Sequence, residues 1–145
     1  MSVKAMAGGC LCGAVRFTAE PAEDGMTACH CDMCRRWTGS VFMGVNCGTS
    51  LAIEGDPPLG VFTSSDYGER VFCPTCGSTL FWRMRDGSHA EVAAQAFDDP
   101  TALPLRKEAF IDSKPPTYSF AEATKKMTGA EVKAKKASEG APVNG

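Results

Sequence analysis

Short runs of apolar residues, bounded by turn-forming residues, recur along the chain up to Phe97, and residues 14–18 and in part 50–54 alternate apolar with polar side chains. Alternation places every second side chain on one face of a β-strand, and the other runs have the length of strands, so each run predicts a strand. The predicted strands cover residues 14–18, 41–45, 50–54, 60–63, 70–72, 79–83 and 91–97. Turn-forming residues separate them, which favours a mainly β, antiparallel fold over one built from βαβ units.

Beyond Phe97 the pattern changes. Residues 98–100 are typical of a helix start, later prolines indicate an extended path over the surface, and residues 120–127 suggest a short helix. We expect roughly the last ten residues to be mobile. The predicted organisation is one zinc-binding β domain over residues 1–120, followed by a C-terminal helix or flexible tail over residues 121–145.

Cysteines add chemistry to this outline, since seven of the eight fall into three tight groups. The groups are Cys10 with Cys12, Cys29 with Cys31 and Cys34, and Cys73 with Cys76. Residues 1–9 lack the apolar run of a secretory signal, so we expect a cytoplasmic protein with reduced thiols. Grouped thiols in such a compartment indicate metal ligands. A disulfide framework in a secreted protein is the alternative.

The two outer pairs predict one structural zinc site. In Cys73-Pro-Thr-Cys76 a tight turn lets both thiols face one metal, whereas a redox role would need a thioredoxin-like βαβ context. In Cys10-Leu-Cys12 an extended backbone sends both thiols to one face, although two buried core cysteines would also fit. Four ligands close a tetrahedral zinc site, and these two pairs supply four.

The middle group predicts a catalytic zinc site. Cys29, Cys31 and Cys34 supply three ligands and leave the fourth position open to substrate, which is the pattern of catalytic zinc. Completion of the site by His30 or Cys47 is the alternative, but His30 lies between ligands and is expected to point away.

Two arginines follow the triplet directly. Arg35 and Arg36 are candidates to bind the carboxylates of an acidic substrate, because a guanidinium pairs with a carboxylate through two hydrogen bonds. Two solvated surface arginines are the alternative. The same two interpretations apply to Arg70.

Composition narrows the function classes. The chain has 145 residues, 43% hydrophobic and 22% charged, which suits a single globular domain. A net charge of −2 gives no electrostatic reason to expect nucleic acid as the main partner. No stretch approaches the roughly 20 apolar residues of a membrane span.

Taken together, the three groups resemble those of the glutathione-dependent formaldehyde-activating family, which includes centromere protein V. The matching stretches are Gly-Gly-Cys10-Leu-Cys12-Gly-Ala-Val-Arg, Cys29-His-Cys31-Asp-Met-Cys34-Arg-Arg-Trp-Thr-Gly39 and Phe72-Cys73-Pro-Thr-Cys76-Gly-Ser-Thr-Leu80. The resemblance implies small curved β-sheets around two zinc ions per chain. Because the triplet offers three ligands and not four, its zinc is expected to be held more loosely and this second site to be partly occupied or empty. The resemblance also implies the addition of glutathione, or a similar thiol, to formaldehyde or another small aldehyde. The enzyme would be a carbon–sulfur lyase, and a homodimer is one possible assembly.

The chain departs from the family pattern near its C-terminus. Where family members often carry a histidine before an apolar pair and a tryptophan after a proline, this chain has Glu108 and Tyr118. The thiol substrate is therefore expected to differ from glutathione if these positions shape the pocket. A zinc-ribbon-like binding module for protein or nucleic acid, without catalytic activity, is the alternative function, and a dithiol redox protein is a third.

Overall fold

The computed structural model describes residues 4–138. Within this range the chain forms eleven strands and two α-helices. The strands are β1 Met6–Gly9, β2 Arg16–Ala19, β3 Met26–Cys29, β4 Phe42–Gly48, β5 Ala52–Ile53, β6 Gly60–Thr63, β7 Gly68–Phe72, β8 Thr79–Met84, β9 Ala90–Ala93, β10 Leu105–Ala109 and β11 Lys125–Met127. The helices are α1 Asp32–Thr38 and α2 Gly129–Ser138. The mainly β class predicted from the sequence is confirmed.

An eight-stranded sheet carries most of the chain, in the order β11-β10-β3-β4-β9-β8-β7-β6. From β3 to β6 every neighbouring pair is antiparallel. At the other edge β10 pairs in parallel with both β3 and β11, which the sequence does not predict. The parallel register sets Cys29 opposite Ala109, so β10 lies directly beside the strand that leads into the cysteine triplet.

A second sheet of three strands, in the order β1-β2-β5, packs against the large one. Phe17 of this sheet is fully buried and meets the ring of Phe81 edge to face, with centroids 6.4 Å apart. Gly8 on β1 pairs with Phe97, and a Cβ at Gly8 would lie 2.5 Å from the Ala96 carbonyl oxygen. Glycine is required there by the close approach of the two backbones.

The β7–β8 hairpin predicted around the third cysteine group is present. Val71 lies opposite Phe81 in its register, and both side chains are fully buried. The adjacent residues Arg70 and Val71 of β7 are both buried, and the pairing with β8 shifts register just after Val71. Because the strands end at Phe72 and begin again at Thr79, Cys73 and Cys76 lie in the connecting turn.

The C-terminal segment extends the large sheet. The short helix predicted over residues 120–127 is wrong, since Lys125–Met127 forms β11 and the helix begins only at Gly129. Met127 and Val132 bury a small separate core against Ala109, and this contact favours a strand followed by a helix. Residues 139–145, on which most of the predicted mobile end falls, lie outside the described residues. The division of the chain at residue 120 stays a prediction.

Neither helix in the described range has the length and apolar character needed to cross a membrane.

Candidate metal centres

The two outer cysteine pairs come together in space. The sulfurs of Cys10, Cys12, Cys73 and Cys76 all lie within 4.8 Å of one another. Cys12 is 3.6 Å from Cys10 and 3.7 Å from Cys73, sulfur to sulfur. Four thiolates at about 2.3 Å from a central metal would be separated by about 3.8 Å, the edge of the tetrahedron. The four side chains therefore have the spacing of a closed tetrahedral site.

Tight turns aim each pair at this point. In the third group the Gly77 amide donates to the Cys73 carbonyl at 2.7 Å, and Gly77 takes a φ of 78° that favours glycine. In the first group the Val15 amide donates to the Cys10 sulfur at 3.2 Å. The extended backbone predicted for Cys10-Leu-Cys12 is wrong, since the Gly13 amide donates to the Cys10 carbonyl at 3.2 Å and closes a turn. Leu11 between the two ligands still points outward and is 88% exposed. Amide-to-sulfur hydrogen bonds of this kind stabilise a thiolate.

Ser78 joins the two turns, a contact that the sequence does not reveal. Its hydroxyl oxygen accepts a hydrogen bond from the Leu11 amide at 3.0 Å and lies 3.2 Å from the Cys76 sulfur. The side-chain hydrogen bond from Ser78 is the main reason that the pKa of Cys76 is lowered to about 5. One hydroxyl thus holds a turn from each end of the site and favours the ionised form of a ligand.

The triplet forms a second group of sulfurs within 4.8 Å of one another. Cys29 is the last residue of β3, Cys31 is the N-cap of α1, and Cys34 lies in its first turn. The Cys34 amide donates to the Cys31 sulfur at 3.3 Å, which is the ordinary capping hydrogen bond made by a thiol. The sequence predicts a strand end here but only a turn after it. The helix holds Cys31 and Cys34 on one side of its first turn.

The three thiols share charge unequally. Hydrogen bonds from Cys29 and then Cys34 lower the pKa of Cys31, and the positive charge of Arg70 acts in the same direction. The hydrogen bond with Cys31 raises the pKa of Cys29. The group therefore favours one thiolate, on Cys31, even with no metal bound. Metal binding would draw the remaining protons off, because only thiolates ligate.

Arg70 reaches the triplet from β7. Its side chain is 6% exposed, and its Nη1 donates to the Cys34 sulfur at 3.7 Å. The guanidinium carbon lies 4.9 Å from the ring centroid of Trp37 on α1, in cation–π geometry. Of the two interpretations that the sequence leaves open for Arg70, the solvated surface arginine is wrong.

The two arginines that follow the triplet differ in exposure and in contacts. Arg35 is half-buried, and its Nε donates to the backbone oxygen of His30 at 3.0 Å. Arg36 is exposed. Arg35 therefore stabilises the backbone that carries the ligands, while Arg36 projects into solvent.

His30 lies behind the triplet and takes no part in it. The ring is fully buried, with Nδ1 2.7 Å from the Tyr118 hydroxyl and Nε2 2.8 Å from Glu108 Oε1. Thr124 donates to the other oxygen of Glu108. Burial raises the pKa of Glu108, but the hydrogen bonds from Thr124 and His30 outweigh it, so the pKa lies below the usual value. An ionised Glu108 fixes the His30 tautomer that carries its proton on Nε2.

Cys47 is also separate from the triplet. Its side chain is 2% exposed within the main core, and burial raises its pKa to about 12. Among residues 4–138 the metal-competent group around the triplet contains three donors, neither Cys47 nor His30 among them. Cys47 is therefore a core residue and not a fourth donor of the triplet.

The sequence leaves the role of Arg70 open and marks Glu108 and Tyr118 only as departures from a family pattern. The structure brings Arg70 to the sulfur of Cys34, and it brings Glu108 and Tyr118 to the ring of His30. No local spacing could have found these pairs, because their members are far apart along the chain. A charged residue inside a predicted strand, as at Arg70, is the one available signal.

The chain is similar to known proteins over most of its length. Residues 5–113 match the model of the family described as glutathione-dependent formaldehyde-activating enzyme. A Schizosaccharomyces pombe protein described as an uncharacterized lyase is 33% identical over 126 residues, which cover 86% of this chain and 92% of that protein. A Halomonas elongata protein described as a putative glutathione-dependent formaldehyde-activating enzyme is 28% identical over 120 residues, 74% of this chain and 76% of that protein.

The fold has a counterpart among solved structures. The crystal structure of a Rhodobacter sphaeroides protein superposes with a TM-score of 0.56 and 23% identity, covering 69% of this chain and 99% of that one. At this identity the likeness concerns the fold. The family match covers most of the chain and includes all seven grouped cysteines. The chain therefore belongs to the family of glutathione-dependent formaldehyde-activating enzymes.

Proposed function

We propose that this protein adds a small thiol, glutathione or a close analogue, to formaldehyde or another small aldehyde at the cysteine triplet. One observation carries the proposal: three sulfurs converge within 4.8 Å of one another while four others form a separate group. Four-ligand zinc sites are structural, whereas three-ligand sites keep a position for substrate. The chain has the donor sets for one site of each kind.

Zinc is the metal that these donors favour. Both groups consist of thiols, the soft ligands that select zinc or copper(I) over magnesium and calcium. Cys10, Cys12, Cys73 and Cys76 would hold the structural ion, and Cys29, Cys31 and Cys34 the catalytic one. When bound at the triplet, zinc would supply the chemistry of ionising a substrate thiol at neutral pH.

The proposed reaction balances without a redox partner. A bond forms between the sulfur of the thiol and the carbonyl carbon of the aldehyde, and the π electrons of the carbonyl move to its oxygen. The proton released from the thiol ends on that oxygen, which gives a hydroxymethyl thioether. Cleavage of the same carbon–sulfur bond in reverse makes the enzyme a carbon–sulfur lyase.

The protein's own residues would bind and orient the thiol. Arg35 and Arg36 are the candidates to pair with a substrate carboxylate. Arg35 lies one helical turn beyond Cys31 and already donates from Nε to the His30 carbonyl, so it would also position the backbone. Arg36 is exposed but lies two residues beyond Cys34, on a different side of α1. A reducing cytoplasm would keep the thiols available. A homodimer stays a prediction.

The rate of carbon–sulfur bond formation tests this function. Exchange of ¹³C-formaldehyde with glutathione, followed by NMR, should be faster with the zinc-loaded protein than with buffer alone. Cys34→Ser should abolish the acceleration, and Met33→Ala, a change at an exposed neighbour on the same helix turn, should retain it. Equal exchange rates for the wild type and Cys34→Ser would overturn the proposal.

A further inference from the structure

Arg70 is a buried cation without a carboxylate partner in the described part of the chain. Its side chain is 6% exposed, yet none of the ion pairs between described residues includes it. Its polar contact is the hydrogen bond from Nη1 to the Cys34 sulfur at 3.7 Å. A buried charge is costly unless an opposite charge compensates it. The sulfurs of the triplet are the anions within reach.

Arg83 on the neighbouring strand β8 shows the usual case, in which a carboxylate compensates the charge of the guanidinium. Its guanidinium also lies over an aromatic ring, that of Phe81, with 5.5 Å from the guanidinium carbon to the centroid. Arg83 differs in pairing with Glu69, at 2.9 Å from Nε to Oε2. The stacking in the two cases is alike, but the anion that Arg70 faces is a sulfur of the triplet.

We propose that Arg70 is a positioning residue that compensates the negative charge of the metal-loaded triplet. A divalent ion held by three thiolates leaves one negative charge, which the guanidinium would neutralise. A substrate thiolate would bring a second negative charge to the same point, and Arg70 would make its arrival less unfavourable. Trp37 packs against the same guanidinium, with its ring centroid 4.9 Å from the guanidinium carbon. The inference rests on the proposed use of the triplet as a metal centre.

The hydrogen bond to sulfur gives Arg70 a second effect. A donor to a ligating thiolate withdraws electron density from it, and such outer partners orient the ligand and tune the metal. Arg70 joins β7 to α1 through this contact, across 36 positions of sequence. It would therefore hold Cys34 in the orientation that ligation needs, independently of the capping hydrogen bond made by Cys31.

Metal retention measures the role of Arg70 without reference to catalysis. The full-length protein is loaded with zinc, and release of each ion to a chromophoric chelator is followed for the wild type, Arg70→Gln, Arg70→Lys and Arg83→Gln. Arg70→Gln should weaken the more labile zinc by about 10- to 100-fold, the usual effect of losing an outer-shell partner. Arg70→Lys keeps the positive charge and should therefore show a smaller loss of zinc affinity. Arg83→Gln should match the wild type.

Cobalt substitution separates this role from simple packing. Loss of the guanidinium donor to Cys34 should shift the thiolate-to-cobalt charge-transfer bands of the triplet in Arg70→Gln, and by less in Arg70→Lys, whose ammonium can still donate, while Arg83→Gln leaves them unchanged. Arg70→Lys preserves charge and bulk, so its spectrum decides the question if Arg70→Gln does not fold. Unchanged bands and unchanged zinc release in the folded Arg70 variants would overturn the inference. A wild type that binds a single metal would instead overturn the proposed function and remove the basis of the inference with it.

Discussion

His30 donates a hydrogen bond from Nε2 to Glu108 Oε1 at 2.8 Å, joining residues 78 positions apart. His30 lies between two of the triplet cysteines, and Glu108 lies on β10, the strand in parallel register with β3. The His30 amide also donates to the Ala109 carbonyl at 3.0 Å. His30 therefore joins the segment between Cys29 and Cys31 to β10 through both its side chain and its backbone amide.

Glu108→Gln should lower the free energy of unfolding by about 2 kcal/mol, because the hydrogen bond from His30 then ends on a neutral amide and not on a buried carboxylate. The side chain is 1% exposed, so water cannot replace the lost partner. Chemical denaturation of the zinc-loaded protein measures this change. The same variant should release the triplet zinc faster, because His30, which lies between Cys29 and Cys31, loses its hydrogen bond to the Glu108 carboxylate.

Glu91→Gln is the matched control for Glu108→Gln. Glu91 also pairs with a histidine, His89, at 3.3 Å, but both side chains are about one third exposed. A solvent-exposed pair contributes less than about 1 kcal/mol. Equal destabilisation by the two variants would contradict the structural role assigned to the buried pair.

Acid should remove the contribution of Glu108 to the free energy of unfolding. Its pKa lies below the ordinary value of 4.5, so the folded state is stabilised by the ionised form above pH 4.5. That stabilisation is lost as the pH falls through the folded pKa. The difference in unfolding free energy between the wild type and Glu108→Gln should therefore shrink below pH 4.5 and be constant above it. An increase in this difference below pH 4.5 would contradict a lowered pKa of Glu108 in the folded state.

Cys76→Ser should remove the more tightly held zinc and sharply lower the melting temperature. The four-cysteine group joins segments 61 positions apart, as the contact of Cys12 with Cys73 shows, so metal binding and folding are coupled. Cys47→Ala is the control, since Cys47 is buried in the core outside both groups. It should lower stability while leaving two zinc ions per chain. Metal analysis and thermal unfolding together would expose the error if Cys76→Ser kept both its zinc and its melting temperature.

Ser78→Ala should speed the release of the structural zinc without abolishing binding. The hydroxyl joins the Leu11 amide to the Cys76 sulfur, and its loss leaves all four ligands in place. An outer-shell change of this kind costs about 10- to 100-fold in metal affinity. Ser88→Ala, at an exposed turn of the same sheet, should have no effect. Identical release from Ser78→Ala and the wild type would mean that the serine has no role at the site.

The features that the sequence predicted well are local. The short apolar runs at 60–63, 70–72 and 79–83 are visible within each strand, and cysteine spacing is visible within each turn. Helix α1 has seven residues, too few to display a helical period, so the sequence predicts only a turn after Cys31. Strand β10 escaped prediction because its buried face includes the charged Glu108, which breaks the apolar pattern.

The contacts between elements needed the structure. Arg70 and Cys34 meet because β7 and α1 are neighbours in space, and nothing near either residue in the sequence records this. Glu108 and Tyr118 meet His30 because β10 pairs in parallel with β3 and the following segment returns over it. The sequence therefore predicts the cysteine groups but not the charged and aromatic residues that support them.

The central claim is that the triplet binds a metal and leaves a position for a substrate thiol. Titration of the cobalt-substituted protein with glutathione tests it most directly, with S-methylglutathione as the control that cannot form a thiolate. We predict new thiolate-to-cobalt charge-transfer intensity and altered ligand-field bands with glutathione, no change with the methylated analogue, and no response in Cys34→Ser. Spectra that stay unchanged at millimolar glutathione would contradict the claim.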